Sequence, residues 1–381
     1  MDKKNNKSPE LSVILPCRNE EQAVGYCIKQ IKKVLSENKI YGEIIVSDSS
    51  SDKSPEIAKK LGVILIKHDK EGYGNAYLEA FEIAKGKYIF MADCDGSYDF
   101  NEIPEFLKCL KEGYDFVVGD RFKGKIDENA MPFSHRYIGN PVLSFLLRLF
   151  FKTKVHDVHC GMRAITKESL NKLNLKTTGM EFASEMVIKA AKKKLKIKQI
   201  SINYCKRKGE SKLKPFADAW KHLRFMLLYS PLFLFFIPGI ILFLAGAISI
   251  IMLYFNTLVI FGVKLQYHPM FLSSLFMIIG YQLIIFAFFA KTYAINHLGE
   301  ESLLINQLNK HITIETASIV GVIVSGIGAI IYLFILIRWV ESGFGALQEV
   351  KNSIIALTLI IIGIQTIFSS FMLSILGIKE K

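Results

Sequence analysis

Two hydrophobic periodicities divide this chain. Up to about residue 224, short apolar runs alternate with mixed, charged stretches. Beyond it come long runs with no charge. Phe225 to Val263, Pro269 to Ala290, Thr316 to Ile337 and Asn352 to Ile378 contain no Asp, Glu, Lys or Arg. Each run holds the roughly 20 apolar residues that a helix needs to cross a bilayer. The pattern predicts four transmembrane helices near 231–254, 269–290, 316–338 and 353–376.

In the front part, Leu11 to Leu15, Glu43 to Ser47, Val63 to Ile66 and Lys87 to Ala92 read as buried strands. Helical sequence separates them, at 22–38, 55–61 and after Gly74. Alternation at this spacing predicts an α/β domain built on a parallel sheet. The expected organisation is residues 1–214 as the α/β domain, 215–229 as a helix lying in a membrane interface, and 230–381 as an all-α membrane domain of four helices. The interfacial helix rests on Phe216, Trp220, Leu223 and Leu227 at helical spacing, with Lys221, His222 and Arg224 off that stripe.

Charge orients this plan. The front part carries 41 of the 48 Lys and Arg and 29 of the 35 Asp and Glu, hence nearly all of the net charge of +13. Thirteen basic residues lie between Lys189 and Arg224, against Glu210 and Asp218 alone. A basic patch directly before a span stays on the cytoplasmic side. It favours anionic lipid headgroups as partners over nucleic acid. Met1 to Glu10 lacks the apolar core of a signal peptide. The α/β domain and both termini are therefore expected in the cytoplasm, with the six scattered cysteines reduced.

Candidate chemistry sits at strand ends. Asp93-Cys94-Asp95 closes the strand Lys87 to Ala92, at the edge of an α/β sheet where ligands bind. Mg²⁺ is commonly held by one or two carboxylates plus substrate phosphates, so the pair suggests a metal-bridged nucleotide. Pro16 to Glu20 follows the first strand. Asp48, at the end of the second, is a candidate acceptor of hydrogen bonds from a base or ribose, or a helix cap. Gly72 and Gly74 permit a tight turn whose amides could face a pyrophosphate.

Taken in order, these motifs resemble the nucleotide-sugar-binding GT-A domain (Rossmann-like) of family 2 glycosyltransferases. Gly119-Asp-Arg121, Arg136, Asp157-Val-His-Cys-Gly161-Met-Arg163, Gly209-Glu-Ser-Lys212 and the C-terminal spans are similar to the polyprenyl-phosphate branch, which includes dolichyl-phosphate mannose and glucose synthases. Gly179 to Glu185 resembles its glucose synthase-like subgroup.

The resemblance implies that Pro16, Arg18, Glu20, Asp48, Gly72, Gly74 and Asp93 meet the nucleotide. It implies that Asp95, with Asp93 and Ser97, holds Mg²⁺ or Mn²⁺, and that Asp93, Asp95, Arg121 and Arg136 form the catalytic set. Arg121, Arg136, Arg163, Lys206, Arg207 and Lys212 are the implied lipid-phosphate ligands. The branch has Gln where this chain has Ser97, and Tyr where it has Arg18.

The activity implied is transfer of one hexose, with inversion, from UDP-glucose or GDP-mannose to polyprenyl or dolichyl phosphate. A processive polysaccharide synthase is the first alternative. Its Gln-x-x-Arg-Trp motif is missing: Arg338-Trp339 lies inside the third span, with Ile335 at the Gln position. A carrier of lipid-linked sugars is the second alternative, and the near-absence of charge in the spans argues against it.

Overall fold

The computed structural model describes residues 8–209, 215–256, 258–260, 263–265, 267–297 and 314–377. It divides into two compact units, Met1–Met226 and Leu227–Lys381.

The first unit is built on a seven-stranded sheet of order β3-β2-β1-β4-β6-β5-β7. β1 (Leu11–Cys17), β2 (Gly42–Asp48), β3 (Ile64–Lys67) and β4 (Tyr88–Met91) are joined by α1 (Val24–Glu37), α2 (Ser54–Lys60) and α3 (Tyr73–Ile83). These four strands are parallel, with Ile14 opposite both Ile45 and Met91. The reason lies in their composition. Leu11 to Leu15 and Tyr88 to Ala92 are buried almost without interruption, as strands covered by helices on both faces must be. α1 turns Val24, Cys27, Ile28, Ile31, Val34 and Leu35 inward, a one-sided stripe at helical period.

The rest of the sheet departs from the all-parallel expectation. α4 (Ile103–Lys111), β5 (Phe116–Asp120), α5 (Asn140–Phe151), β6 (Arg163–Thr166), α6 (Lys167–Leu173), α7 (Phe182–Lys192) and β7 (Ile197–Ser201) complete it. β6 enters between β4 and β5 and runs antiparallel to both. It is four residues long, too short to announce itself by periodicity, and its direction follows from the long excursion through α5. The ends of β1 and β4 lie side by side where the strand order turns from β2 to the later strands, the usual ligand crevice of such sheets.

α8 (Pro215–Leu228) closes the first unit. It buries His222 and Met226, with Trp220 59% and Leu228 63% exposed. Leu223 and Leu227 are half-buried. The Phe216 side chain lies outside the described residues.

Among its described residues the second unit holds four helices long and apolar enough to cross a membrane: Leu232–Phe255, His268–Asn296, Ile314–Glu341 and Val350–Gly377. The first comprises a π-helical turn, Leu232–Phe236, and α9 (Ile237–Phe255). The others are α10 (His268–His297), α11 (Ile314–Glu341) and α12 (Val350–Gly377). Between α9 and α10 lies the hairpin of β8 (Leu258–Ile260) and β9 (Val263–Leu265).

The second and third spans run beyond their uncharged cores, through Lys291 and Arg338 respectively. Long basic side chains at helix ends reach back to the polar interface, so helices need not stop where charge begins. Small residues and hydroxyls hold the helices together, as expected where lipid removes the hydrophobic drive. Ser274 meets Thr358 at 2.6 Å and Tyr281 meets Thr366 at 2.5 Å between α10 and α12. A Cβ on Gly363 would fall 2.5 Å from the Ser325 backbone N and 2.6 Å from the Gly321 carbonyl. Gly363→Val is therefore expected to force α11 and α12 apart and lower the melting temperature of the detergent-purified protein. An unchanged melt would show that the two helices do not rely on this approach.

Candidate active site

The crevice is lined by the ends of β1, β2 and β4. Asp93 follows β4 and is half-buried. Its Oδ1 accepts a 3.0 Å hydrogen bond from the Tyr73 hydroxyl. Gly161 packs against its other face, where a Cβ would come within 2.6 Å of Oδ2. Burial, then the charge of Asp95, push the Asp93 carboxyl up to about 6, while the Tyr73 hydrogen bond, Arg121 and Arg207 oppose the rise.

Asp95 is 8% exposed. Its Oδ1 accepts from both the backbone N (2.9 Å) and the hydroxyl (2.5 Å) of Ser97. Its Oδ2 lies 3.6 Å from Arg207 Nη1. Two carboxylates with free oxygen lone pairs suit a hard divalent cation. Among the described residues no group of three or more His, Cys, Asp or Glu could hold a metal. A cation here would thus draw its remaining ligands from substrate phosphate and water.

The structure revises several roles implied by the resemblance. Ser97 is fully buried and its hydroxyl donates to Asp95, so it braces that carboxylate. Asp48 is also fully buried, and its oxygens accept from the Ser50 hydroxyl (2.6 Å) and backbone N (3.2 Å). This carboxylate shapes the loop after β2 and does not open into the crevice.

Gly72 and Gly74 serve close packing. A Cβ on Gly72 would lie 2.2 Å from the Thr178 carbonyl, and one on Gly74 2.1 Å from that of Thr177. The Asn75 amide, in the first turn of α3, donates to Thr178 O. That amide is therefore not available to a pyrophosphate.

Arg121 and Arg163 are interior cations. Arg121 is 6% exposed and forks onto Asp157 through Nε (2.7 Å) and Nη2 (2.8 Å), with its guanidinium over the Tyr204 ring. It acts on the crevice through its charge, which reaches Asp93. Arg163 is 2% exposed and donates to three backbone carbonyls, of Cys160, Ala183 and Val158. It ties the 158–160 loop to the start of α7. Neither fork is open to a lipid phosphate.

The remaining implied residues are placed as follows, where they are described. Pro16 is the penultimate residue of β1, its carbonyl accepting the Cys94 thiol at 2.9 Å. Arg18 is exposed and pairs with Glu71 at 2.7 Å. Glu20 accepts from Arg207 Nη2 at 3.2 Å. Lys206 is exposed. Lys212 lies outside the described residues. Arg136 sits in a π-helical turn, His135–Gly139, with its guanidinium 5.4 Å over the Tyr137 ring. Among the described residues it forms no ion pair with the Asp93–Asp95 cluster.

Some parts of the site escaped sequence reasoning. Tyr73, between the two glycines, carried no signal beyond its position. α5 and the turn before it expose Phe133, Tyr137, Ile138, Val142, Phe145 and Leu149, each at least 47% accessible. The spacing 138, 142, 145, 149 is a helical stripe that was readable in the sequence. Glu185, one turn from Glu181, is fully buried. It accepts from the Lys176 and Thr177 amides and the Thr177 hydroxyl, and pairs with Lys189. It thus anchors the segment that packs on Gly72 and Gly74.

Known proteins resemble this chain in sequence. The family model described as glycosyl transferase family 2 matches residues 12–173, and that of the glycosyltransferase family 2 C-terminal transmembrane region matches 288–377. The low-salt glycan biosynthesis hexosyltransferase Agl6 of Haloferax volcanii is 37% identical over 371 residues, covering 97% of this chain and 90% of that protein. A dolichyl-phosphate hexose transferase of the same organism is 34% identical over 210 residues, covering 55% of this chain and 88% of that protein. Glucosyl-3-phosphoglycerate synthase from Mycobacterium tuberculosis, solved with Mn²⁺, UDP and glucosyl-3-phosphoglycerate, is 19% identical with a TM-score of 0.47, covering 58% of this chain and 80% of that one. That likeness is too distant to speak for this site.

The raised Asp93 carboxyl has a measurable consequence. Its ordinary value is 3.8 and its folded value about 6, so between these the folded protein holds more protons than the unfolded chain. Stability then falls as pH rises through that window. Asp93→Asn keeps an oxygen for Tyr73 and removes the charge. It is expected to raise the melting temperature of the cation-free protein at about pH 7.5 and to do so much less at about pH 4.5. An equal gain at both values would show that ionisation is not the cause.

Proposed function

We propose, from the premise that this chain belongs to glycosyltransferase family 2 and is a membrane glycosyltransferase, that it moves one hexose from a nucleotide sugar to a polyprenyl phosphate. The observation that carries this reading is the Asp93–Asp95 pair at the end of β4, in one chain with four apolar spans. The names of the two Haloferax relatives, one a hexosyltransferase and one a dolichyl-phosphate hexose transferase, support it.

The chemistry follows from charge. A polyprenyl phosphate is already an anionic oxygen nucleophile at neutral pH, so it needs positioning and charge compensation more than a strong base. Asp93, oriented by Tyr73 and Gly161, meets the donor. Asp95, braced by Ser97, and Asp93 are the residues that would hold Mg²⁺ or Mn²⁺. When bound, such a cation offsets the charge on the leaving nucleoside diphosphate.

The acceptor's headgroup goes to two basic side chains, Arg136 and Lys206. The exposed apolar stripe of α5, beside Arg136, suits the lipid interface from which this acceptor comes. Attack from the face opposite the leaving group inverts the anomeric carbon. UDP-glucose and GDP-mannose are the donors to test first. The basic stretch before the first span supports a cytoplasmic location for the catalytic unit and, with four spans, for both termini.

A donor panel tests this directly. Detergent-purified protein, Mg²⁺ or Mn²⁺, a polyprenyl phosphate and separate nucleotide sugars are incubated, and lipids are read by mass spectrometry. One lipid-monophosphate hexose, lost on adding EDTA, is expected. Transfer to soluble hydroxyl acceptors but never to polyprenyl phosphate would overturn the reading. Asp95→Ala should abolish metal-dependent turnover. Arg136→Ala should raise the acceptor KM about tenfold or more while leaving the donor KM near wild type. An equal rise in both would remove Arg136 from the headgroup role.

A further inference from the structure

Arg207 is the cation that faces Asp95. Its Nη1 lies 3.6 Å from Asp95 Oδ2 and its Nη2 3.2 Å from Glu20 Oε1. These side chains are only 23%, 11% and 12% exposed, respectively, so solvent screens them weakly. Oδ1 of Asp95 is already taken by Ser97. The oxygen left for a metal ion is therefore the one that Arg207 faces. A guanidinium and a divalent cation repel each other at that distance, and one must yield.

The surroundings allow the side chain to yield without the backbone. Tyr204 bridges to Tyr98, the Cys205 amide donates to Ser97 O at 2.8 Å, and the Lys208 amide donates to Asp95 O at 2.8 Å. Residues on both sides of Arg207 are thus stitched to the loop that carries the two carboxylates. Arg207 itself is half satisfied. Its Nε is buried and donates to nothing, although a guanidinium held for good is normally hydrogen-bonded on burial. Its grip on Asp95 is longer than a charge-assisted hydrogen bond. Both features describe a resting position.

We propose that Arg207 is a built-in counter-ion for Asp95, displaced by the incoming divalent cation so that its guanidinium turns to phosphate oxygens of the substrates. This rests on the reading of Asp93 and Asp95 as a metal–nucleotide site. It gives the chain an order of events, because the phosphate-binding fork is released only when the cation arrives. It also gives Arg207 two opposite effects. Before substrate binds it competes with the metal; afterwards it assists turnover.

The test uses the full-length protein in detergent and reads Mn²⁺ binding by calorimetry without substrate. Arg207→Ala is expected to bind Mn²⁺ about threefold tighter or more, and Arg207→Lys, which keeps a cation, to stay near wild type. Turnover moves the other way, with kcat/KM for Arg207→Ala falling about ten- to hundredfold. A raised donor KM would assign the released fork to the nucleoside diphosphate, and a raised acceptor KM to the lipid phosphate. A role confined to stabilising the fold does not tighten metal binding. Unchanged or weaker Mn²⁺ affinity in Arg207→Ala, with an unaltered melt, would overturn the proposal. If Arg207→Ala does not fold, Arg207→Gln is read by the same criterion. Wild-type protein that binds Mn²⁺ neither alone nor with UDP or GDP would instead remove the metal–nucleotide reading beneath it.

Discussion

Two carboxylates, one residue apart at the end of a buried strand, repel each other in a setting that hydrates them poorly. Much of the catalytic unit is arranged around that cost. Asp95 is steadied by the Ser97 amide and hydroxyl, and Asp93 by the Tyr73 hydroxyl. Positive charge comes from two sides. Arg207 faces Asp95 directly. Arg121 acts on Asp93 from the interior, itself held by Asp157. A like-charged pair kept close is the kind of site that a divalent cation would relieve, in keeping with the proposed function.

Close backbone approach is the second constraint, and it recurs in both units. In the catalytic unit, Gly72 and Gly74 admit the carbonyls of Thr177 and Thr178, a segment clamped by buried Glu185. This contact seats Tyr73, which in turn seats Asp93. In the membrane unit, Gly321 and Gly363 let α11 and α12 meet backbone to backbone. Hydroxyls on α10 and α12 find partners in one another. The same absence of a Cβ thus serves the geometry around Asp93 in one unit and helix association in the other.

Basic residues divide into two kinds that composition does not separate. Arg121 and Arg163 are interior struts, one on a carboxylate and one on three carbonyls. Lys206 is exposed and Arg136 half-buried. Arginine serves both ends because its planar fork meets carboxylates, carbonyls and phosphates alike. A motif match reports the residue type and cannot say which of these partners the fold supplies.

The sequence by itself determined the division into an α/β part and four spans, the first four strands and their helices, and the Asp93–Asp95 pair at a strand end. These are local matters. Periodicity within a few residues sets whether a segment is buried on one face, on two faces or in lipid, and a strand end is visible where the apolar run stops. Tertiary structure decided what depends on partners far along the chain. Antiparallel β6 owes its place to a neighbour more than seventy positions earlier, Met91 opposite Arg163. Arg121 was turned inward by Asp157 thirty-six residues away, while Asp48 and Ser97, bonded to Ser50 and Asp95 two residues off, owe their burial to the packing around them. Hydrogen bonds reward the nearest acceptor in space, and a linear pattern carries no measure of that distance.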